Sequence, residues 1–338
     1  MRGVSLFGKE EGSGSMQDIS RRGFVVSAAA AAAAFGLDGP LEFIGSAFAQ
    51  SNAALAEKGF VKFKVGDVEV TQVYDGIWNR ELQDGFVKNA SRDEVSAALK
   101  AAGLPGNIVP IPFTLTAVTI GGKTTLIDTG TGVPGQVQPT SGLAASKNWA
   151  AAGIDAGKVE NIIITHFHPD HISGLMAKDT NGEQFPNATI HVPAAELAWW
   201  TGSSVPQGAQ PLANRVKATL GTWKNVKPLQ GEGEVVPGIR AIATNGHTPG
   251  HTSYHVGSGS QQLIVLGDVT NIPALFVKNP GWHAVFDADA AMAEANRRKI
   301  FDRAVAEKIT VTGYHYGMPG AGIISKDGNG YVFTPVSS

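Results

Sequence analysis

Short apolar runs recur along this sequence, and several of them stop just before a histidine or an aspartate. Ile162-Ile163-Ile164 precedes His166, Ile242-Ala243-Thr244 leads to His247, Leu263 to Leu266 leads to Asp268, and Ile309 to Thr312 leads to His315. Runs this short, bounded by turn residues, predict strands buried on both faces. Val68-Glu69-Val70-Thr71 alternates instead, the mark of a half-exposed strand, and closes on Asp75-Gly76. Thr114 to Ile120 and Lys123 to Ile127 read as two strands joined by Gly121-Gly122, a hairpin signal. Thr189-Ile190-His191-Val192 gives a further short strand.

Helical periods fall between these runs. Ser91 and Glu94 form a capping box ahead of an alanine-rich helix that should stop at Gly103, with Pro105 just beyond. Pro193 suits the first turn of a helix carrying Trp199 and Trp200. Residues 202–237, rich in glycine, proline and polar side chains, predict a long loop with one short helix from Leu212 to Leu220. A long amphipathic helix from about Asp287 to Lys308 separates the last two apolar runs. No repeat and no linker divides the chain, so residues 50–338 are expected to form a single domain.

Sheets gather strand ends along one edge, so side chains up to 149 positions apart, such as His166 and His315, can meet there. The densest contribution is Thr165-His166-Phe167-His168-Pro169-Asp170-His171. Imidazole and carboxylate packed this closely suit a borderline divalent cation, zinc first, with manganese, cobalt and iron as alternatives. The chain contains no cysteine, which excludes disulfides, thiolate nucleophiles, cysteine-ligated zinc and iron–sulfur clusters. Any metal must be held by nitrogen and oxygen.

With 338 residues, 43% hydrophobic and 17% charged, the composition is that of an ordinary globular protein. Lys and Arg number 27 against 29 Asp and Glu, and residues 1–49 hold four of the basic and five of the acidic ones, leaving 23 against 24. This balance gives nucleic acid or an anionic membrane no electrostatic handle; a small-molecule substrate is the expected partner. Ser20-Arg21-Arg22-Gly23-Phe24-Val25 resembles a twin-arginine export signal, followed by the alanines 28–34 and a small-x-small site at Ala47-Phe48-Ala49. The apolar stretch falls short of the ~20 residues that a membrane-spanning helix needs. Residues 1–49 are therefore expected to be a removable signal peptide, leaving a periplasmic protein without a membrane anchor; a retained amphipathic helix is the alternative.

Taken together, His166-x-His168-x-Asp170-His171, His247 in Gly-His-Thr-Pro-Gly-His, Asp268 in Gly-Asp, and His315 resemble the metallo-β-lactamase superfamily over nearly the whole mature chain. The resemblance implies an α+β fold, a four-layer αβ/βα sandwich with a dinuclear site at one edge of the two sheets. His166, His168 and His247 would bind the first divalent metal, Asp170, His171 and His315 the second, and Asp268 would bridge them. Two such ions about 3.5–4 Å apart lower the pKa of a shared water and supply hydroxide as nucleophile. Asp170 and Asp268 would then steer protons after attack.

Several stretches most resemble methyl parathion hydrolase and its relatives, which cleave phosphotriesters and esters. Acyl-homoserine lactonases carry the same ligand set and are the alternative. Persulfide dioxygenases, with one iron and a reduced ligand set, form an oxidative alternative, and a metal-bound scaffold a non-enzymatic one. By the same resemblance Asp128 would support the ligand loop by hydrogen bonding, and His251, four residues after His247, is placed to hydrogen-bond a ligand or the loop backbone. Trp200 would line the leaving-group pocket, with Trp199 competing, and His283 a pocket wall. The loop Thr131-Gly132-Val133-Pro134-Gly135 departs from the aromatic pattern of methyl parathion hydrolase. Homodimers are common among such enzymes.

Overall fold

The structure is a computed structural model and describes residues 53–258 and 261–336. The expected export segment, residues 1–49, lies outside the described residues. Among the described residues, fourteen strands form two sheets of seven. The first sheet runs in chain order through β1 (Phe60–Val65), β2 (Val68–Glu81), β3 (Ile108–Ile120), β4 (Lys123–Ile127), β5 (Asn161–Ile163), β6 (Thr189–Pro193) and β7 (Val226–Leu229). The second contains β8 (Gly233–Val236), β9 (Ile239–Ala243), β10 (Thr252–Ser258), β11 (Gln261–Val265), β12 (Thr310–Thr312), β13 (Ala321–Asp327) and β14 (Gly330–Pro335), again in order. Pairing is antiparallel except along β4-β5-β6-β7 and between β11 and β12.

Apart from the short turn Trp149–Ala151, the α-helices among the described residues are α1 (Ala53–Lys58), α2 (Arg92–Ala101), the single turn α3 (Pro169–Ile172), α4 (Ala194–Thr201), α5 (Gln210–Ala218) and α6 (Ala290–Ala306). The capping box at Ser91 and Glu94 forms at the start of α2. Among the described residues, no helix is long and apolar enough to cross a membrane.

Alternation within the apolar runs builds the layers. Ile162 and Ile164 join Leu99, Trp200 and Val216 in a core between the first sheet and its helices. Ile163, between them, faces the other way and packs with Tyr254, Leu263 and Val265 of the second sheet. Ile264 and Val311 pack against Ile300 and Phe301 of α6 on the far side. A strand covered on both faces has no polar side to show, which is why these segments read as unbroken apolar runs. The result is the expected αβ/βα order of four layers.

The stretch 202–237 holds the expected short helix, observed as α5, but the rest of the expected loop needs correction, because it contains the strands β7 and β8. Both strands are four residues long and lie at sheet edges, where one partner suffices and half-exposed side chains carry no apolar run. Pro228 is tolerated in β7 for the same reason. The hairpin at Gly121-Gly122 forms as expected, with φ of 57° and 80°, the left-handed pair that a tight two-residue turn requires.

Candidate metal centre

β5, β9, β11 and β12 end at Ile163, Ala243, Val265 and Thr312, and the residues just past them converge. His166 Nε2 lies 3.1 Å from His168 Nδ1, which lies 2.9 Å from His247 Nε2. Ligands at tetrahedral corners around zinc stand about 3.3 Å apart, from bond lengths of about 2.0–2.1 Å. A second group forms beside the first: Asp170 Oδ2 is 3.5 Å from both His171 Nε2 and His315 Nε2. Asp268 reaches both groups, with Oδ2 at 3.3 Å from His247 Nε2 and 3.0 Å from His315 Nε2, and Oδ1 at 3.4 Å from His171 Nε2. All seven residues singled out by spacing therefore surround one region.

The far side of four of the five imidazoles is fixed. His171 Nδ1 donates to Asp128 Oδ2 at 2.8 Å, His247 Nδ1 to Asp287 Oδ1 at 2.9 Å and His315 Nδ1 to the carbonyl of Pro112 at 2.8 Å. His166 Nδ1 faces the Thr165 hydroxyl at 3.0 Å, and that hydroxyl donates to Asp128 Oδ2. These bonds select the tautomer that turns Nε2 inward, while His168 alone presents Nδ1. Asp128 also accepts from the Thr165 amide at 2.8 Å, and it adopts φ 63°, a left-handed conformation uncommon for an aspartate outside such a site. His251 accepts the Asp268 N–H at Nε2, 2.9 Å, with Nδ1 against Thr244, so it orients the shared carboxylate through its backbone. Burial holds His251 down to about 3, consistent with a neutral acceptor.

The site is electrostatically divided. Burial and the neighbouring imidazoles keep His166 and His168 well below the usual histidine range, leaving neutral donors. Around His171 and His315 burial acts downward too, but the carboxylates of Asp170 and Asp268 outweigh it and push both up. Burial would raise Asp268, yet His315 and His171 hold it well below the ordinary carboxylate range. This half of the site calls for positive charge. His171 Nε2 and Asp268 Oδ1 are moreover buried without a hydrogen-bond partner, which is costly unless a ligand takes them. Nitrogen and oxygen donors in this arrangement fit a pair of divalent cations.

The sequence of residues 114–309, more than half of the chain, matches the family described as the metallo-beta-lactamase superfamily. The chain belongs to the metallo-β-lactamase superfamily. An N-acyl homoserine lactonase from a Bacillus species is 30% identical over 172 residues, 50% of this chain and 62% of that protein. A probable metallo-hydrolase of Mycobacterium tuberculosis is 27% identical over 42% of this chain and 52% of its own length. The chain thus spans between half and two thirds of these curated relatives. Among solved structures, AidC, a dizinc quorum-quenching lactonase in complex with a product, superposes with a TM-score of 0.76 at 25% identity, covering 83% of this chain and 98% of that one. The hydrolase AbOPH of the beta lactamase superfamily gives 0.74 at 25% identity over the same shares.

Beside the superfamily's ligand edge lies a cleft of about 230 Å³, with His168, Asp170, His247, Asp268 and His315 at one end and Trp78, Phe86, Phe113, Phe276 and Phe286 among its walls. The expected pocket residues do not line it. Trp200 is 3% exposed, and its indole N–H donates to Glu196 Oε1 at 2.7 Å; Trp199 packs edge-on against it in the same core. A helix whose inner face must cover the first sheet buries Trp200 and leaves Trp199 half-buried against it, rather than presenting either to the site. His283 pairs with Glu294 at 2.9 Å, also outside the cleft.

Sequence reasoning missed two carboxylates. Asp287, beside Phe286, holds His247 and accepts from Arg297 Nη2 at 3.4 Å; its place before a helix resembles ordinary capping chemistry. Glu196 is fully buried and accepts from Phe167 N, Trp200 Nε1, Thr248 Oγ1 and Gly250 N. A lone glutamate within Ala-Ala-Glu-Leu-Ala-Trp-Trp was the available signal for it.

Proposed function

We propose that this protein is a dinuclear metal-dependent hydrolase that opens the ring of acylated lactones, N-acyl homoserine lactones in the first instance. The observation that carries the reading is the pair of donor clusters sharing Asp268 at one end of an aromatic cleft. That arrangement offers a polar reaction centre and an apolar wall to a substrate with a polar head and a hydrocarbon tail. The N-acyl homoserine lactonases and AidC among its relatives support this substrate over the phosphotriesters of methyl parathion hydrolase.

His166, His168 and His247 would hold one cation, Asp170, His171 and His315 the other, and Asp268 both; zinc suits the nitrogen and oxygen set. When bound, such a pair supplies Lewis-acid activation of the carbonyl and lowers the pKa of nearby water. In ring opening a water oxygen bonds to the lactone carbonyl carbon, the ring C–O bond breaks, and the water proton ends on the departing alkoxide. Asp170 is placed to carry that proton, because its carboxylate is 17% exposed and lines the cleft, whereas Asp268 is 4% exposed. The aromatic walls exclude competing solvent from the reacting end.

The test is turnover of N-acyl homoserine lactones, aryl esters and methyl parathion by protein of defined metal content. A kcat/KM for the lactones at least about tenfold above the others is expected. Preference for methyl parathion would reverse the assignment. We also propose periplasmic residence by twin-arginine export, supported by Ser20 to Val25. Replacing Arg21 and Arg22 with Lys should trap the precursor in the cytoplasm, and normal export of that variant would defeat the idea.

A further inference from the structure

Arg80 occupies an unusual place on β2. Its guanidinium carbon lies 5.2 Å from the ring centroid of Trp78, 5.3 Å from that of Phe286 and 5.6 Å from that of Phe86. All three rings line the cleft beside the ligand edge, and Arg80 is not among the lining residues. Among the described residues, no carboxylate forms an ion pair with it; the three π faces are its charged group's close neighbours.

The rings come from separate parts of the chain. Trp78 belongs to β2, while Phe86 and Phe286 sit on two loops zipped together by Val285 N to Phe86 O at 2.9 Å and Lys88 N to His283 O at 2.8 Å. Phe86 and Phe286 meet edge to face with centroids 5.8 Å apart. A planar cation shared by all three fixes their spacing from behind, which an ammonium on a flexible stem does poorly. Phe286 also adjoins Asp287, whose carboxylate orients His247.

We propose that Arg80 is a specificity-determining positioning residue, which clamps the aromatic wall and so sets how the cleft discriminates among the hydrocarbon tails of its substrates. The proposal rests on the acylated-lactone reading for the identity of the tail. Each methylene seated on a rigid wall is worth about fourfold in affinity. Without the clamp the rings can swing, and successive methylenes gain less.

The experiment compares wild type, Arg80→Met and Arg80→Lys, all metal-loaded, over N-acyl homoserine lactones from butanoyl to dodecanoyl. Calorimetric binding of the corresponding ring-opened N-acyl homoserines accompanies the kinetics. In Arg80→Met the KM for the longest chains should rise about five- to tenfold, with kcat within about twofold and metal content unchanged. Arg80→Lys should fall between, and serves if the Met variant does not fold. An unaltered chain-length profile in the variants would overturn the proposal, as would a joint fall of kcat and metal content with no change in that profile. Should wild type turn over no lactone, the lactone reading fails and the binding series decides alone. A shallower chain-length dependence in the variants then supports the clamp, and equal dependence or no binding to wild type overturns it.

Discussion

His247 and Asp287 stand 40 positions apart in sequence, and the 2.9 Å bond between their Nδ1 and Oδ1 atoms decides which imidazole nitrogen faces the metal centre. Asp287 is itself fixed by Arg297, fully buried, whose guanidinium also binds the carbonyls of Val269, Pro280 and Trp282. Asp287→Asn keeps the shape but loses the charge that stabilises this tautomer. Metal affinity should fall about 10- to 100-fold while the fold persists. Competition with a chelating dye measures this, and wild-type affinity in the variant would remove Asp287 from the centre's support.

Glu196 joins the two loops that bring His168 and His247 together, accepting from Phe167 N at 3.0 Å with one oxygen and from Gly250 N at 2.8 Å with the other. The contact is close enough that a Cβ on Gly250 would lie 2.1 Å from Glu196 N. Three of the four neighbours are N–H donors, placed on both oxygens, so either orientation of a glutamine amide sets its N–H against at least one N–H. Glu196→Gln should cost about 2–4 kcal/mol of stability, and chemical denaturation reads it directly. Trp200→Phe removes one of the four donors and should cost about 1 kcal/mol with KM unaltered. A large KM change for aryl substrates would instead return Trp200 to the pocket.

What the sequence disclosed and what it withheld have separate physical causes. The candidate ligands were legible because donors crowded after apolar runs have little structural use, while the supporting role of Asp128 followed from the family resemblance. Doubly covered strands such as β5 were legible as well. Edge strands β7 and β8 were not, since half-exposed residues leave no run. The cleft walls escaped because Trp78, Phe86 and Phe286 come from unrelated stretches, and an aromatic side chain looks alike whether it faces a core or a cavity. Trp200 shows the same ambiguity from the other side.

Metal removal should weaken the whole edge of the sandwich. Asp170, Asp268, His171 and His315 are packed together, and His171 Nε2 and Asp268 Oδ1 are left without hydrogen bonds. A ligand that binds only the folded state adds about 4 kcal/mol at a thousandfold excess over its Kd. Chelation should therefore lower the melting temperature by several degrees and abolish hydrolysis, with recovery on adding zinc. His168→Ala should lose bound metal and activity together. Full turnover by demetallated protein would refute a metal-dependent mechanism.

Asp75, itself outside the metal-binding groups, supplies a prediction about pH, with the Asp170 carboxylate adding to the effect of its burial. Its carboxylate is buried on β2 and accepts from Thr131 N and Oγ1 at 2.7 Å and from Ala144 N at 2.8 Å, fixing the loop that follows Asp128. Burial nevertheless dominates these bonds and pushes the carboxyl up to about 6 from an ordinary 3.8. The folded protein holds this proton more tightly than the unfolded chain does, so folding takes up a proton between those values. The group's stabilising contribution is complete below its unfolded pKa and is lost as pH rises through about 6, a change of roughly 3 kcal/mol. Asp75→Asn abolishes the titration. In urea unfolding of metal-free protein, wild type should lose stability relative to the variant between about pH 4 and pH 7. A constant difference across that range would show that the Asp75 carboxyl titrates alike in the folded and unfolded chains.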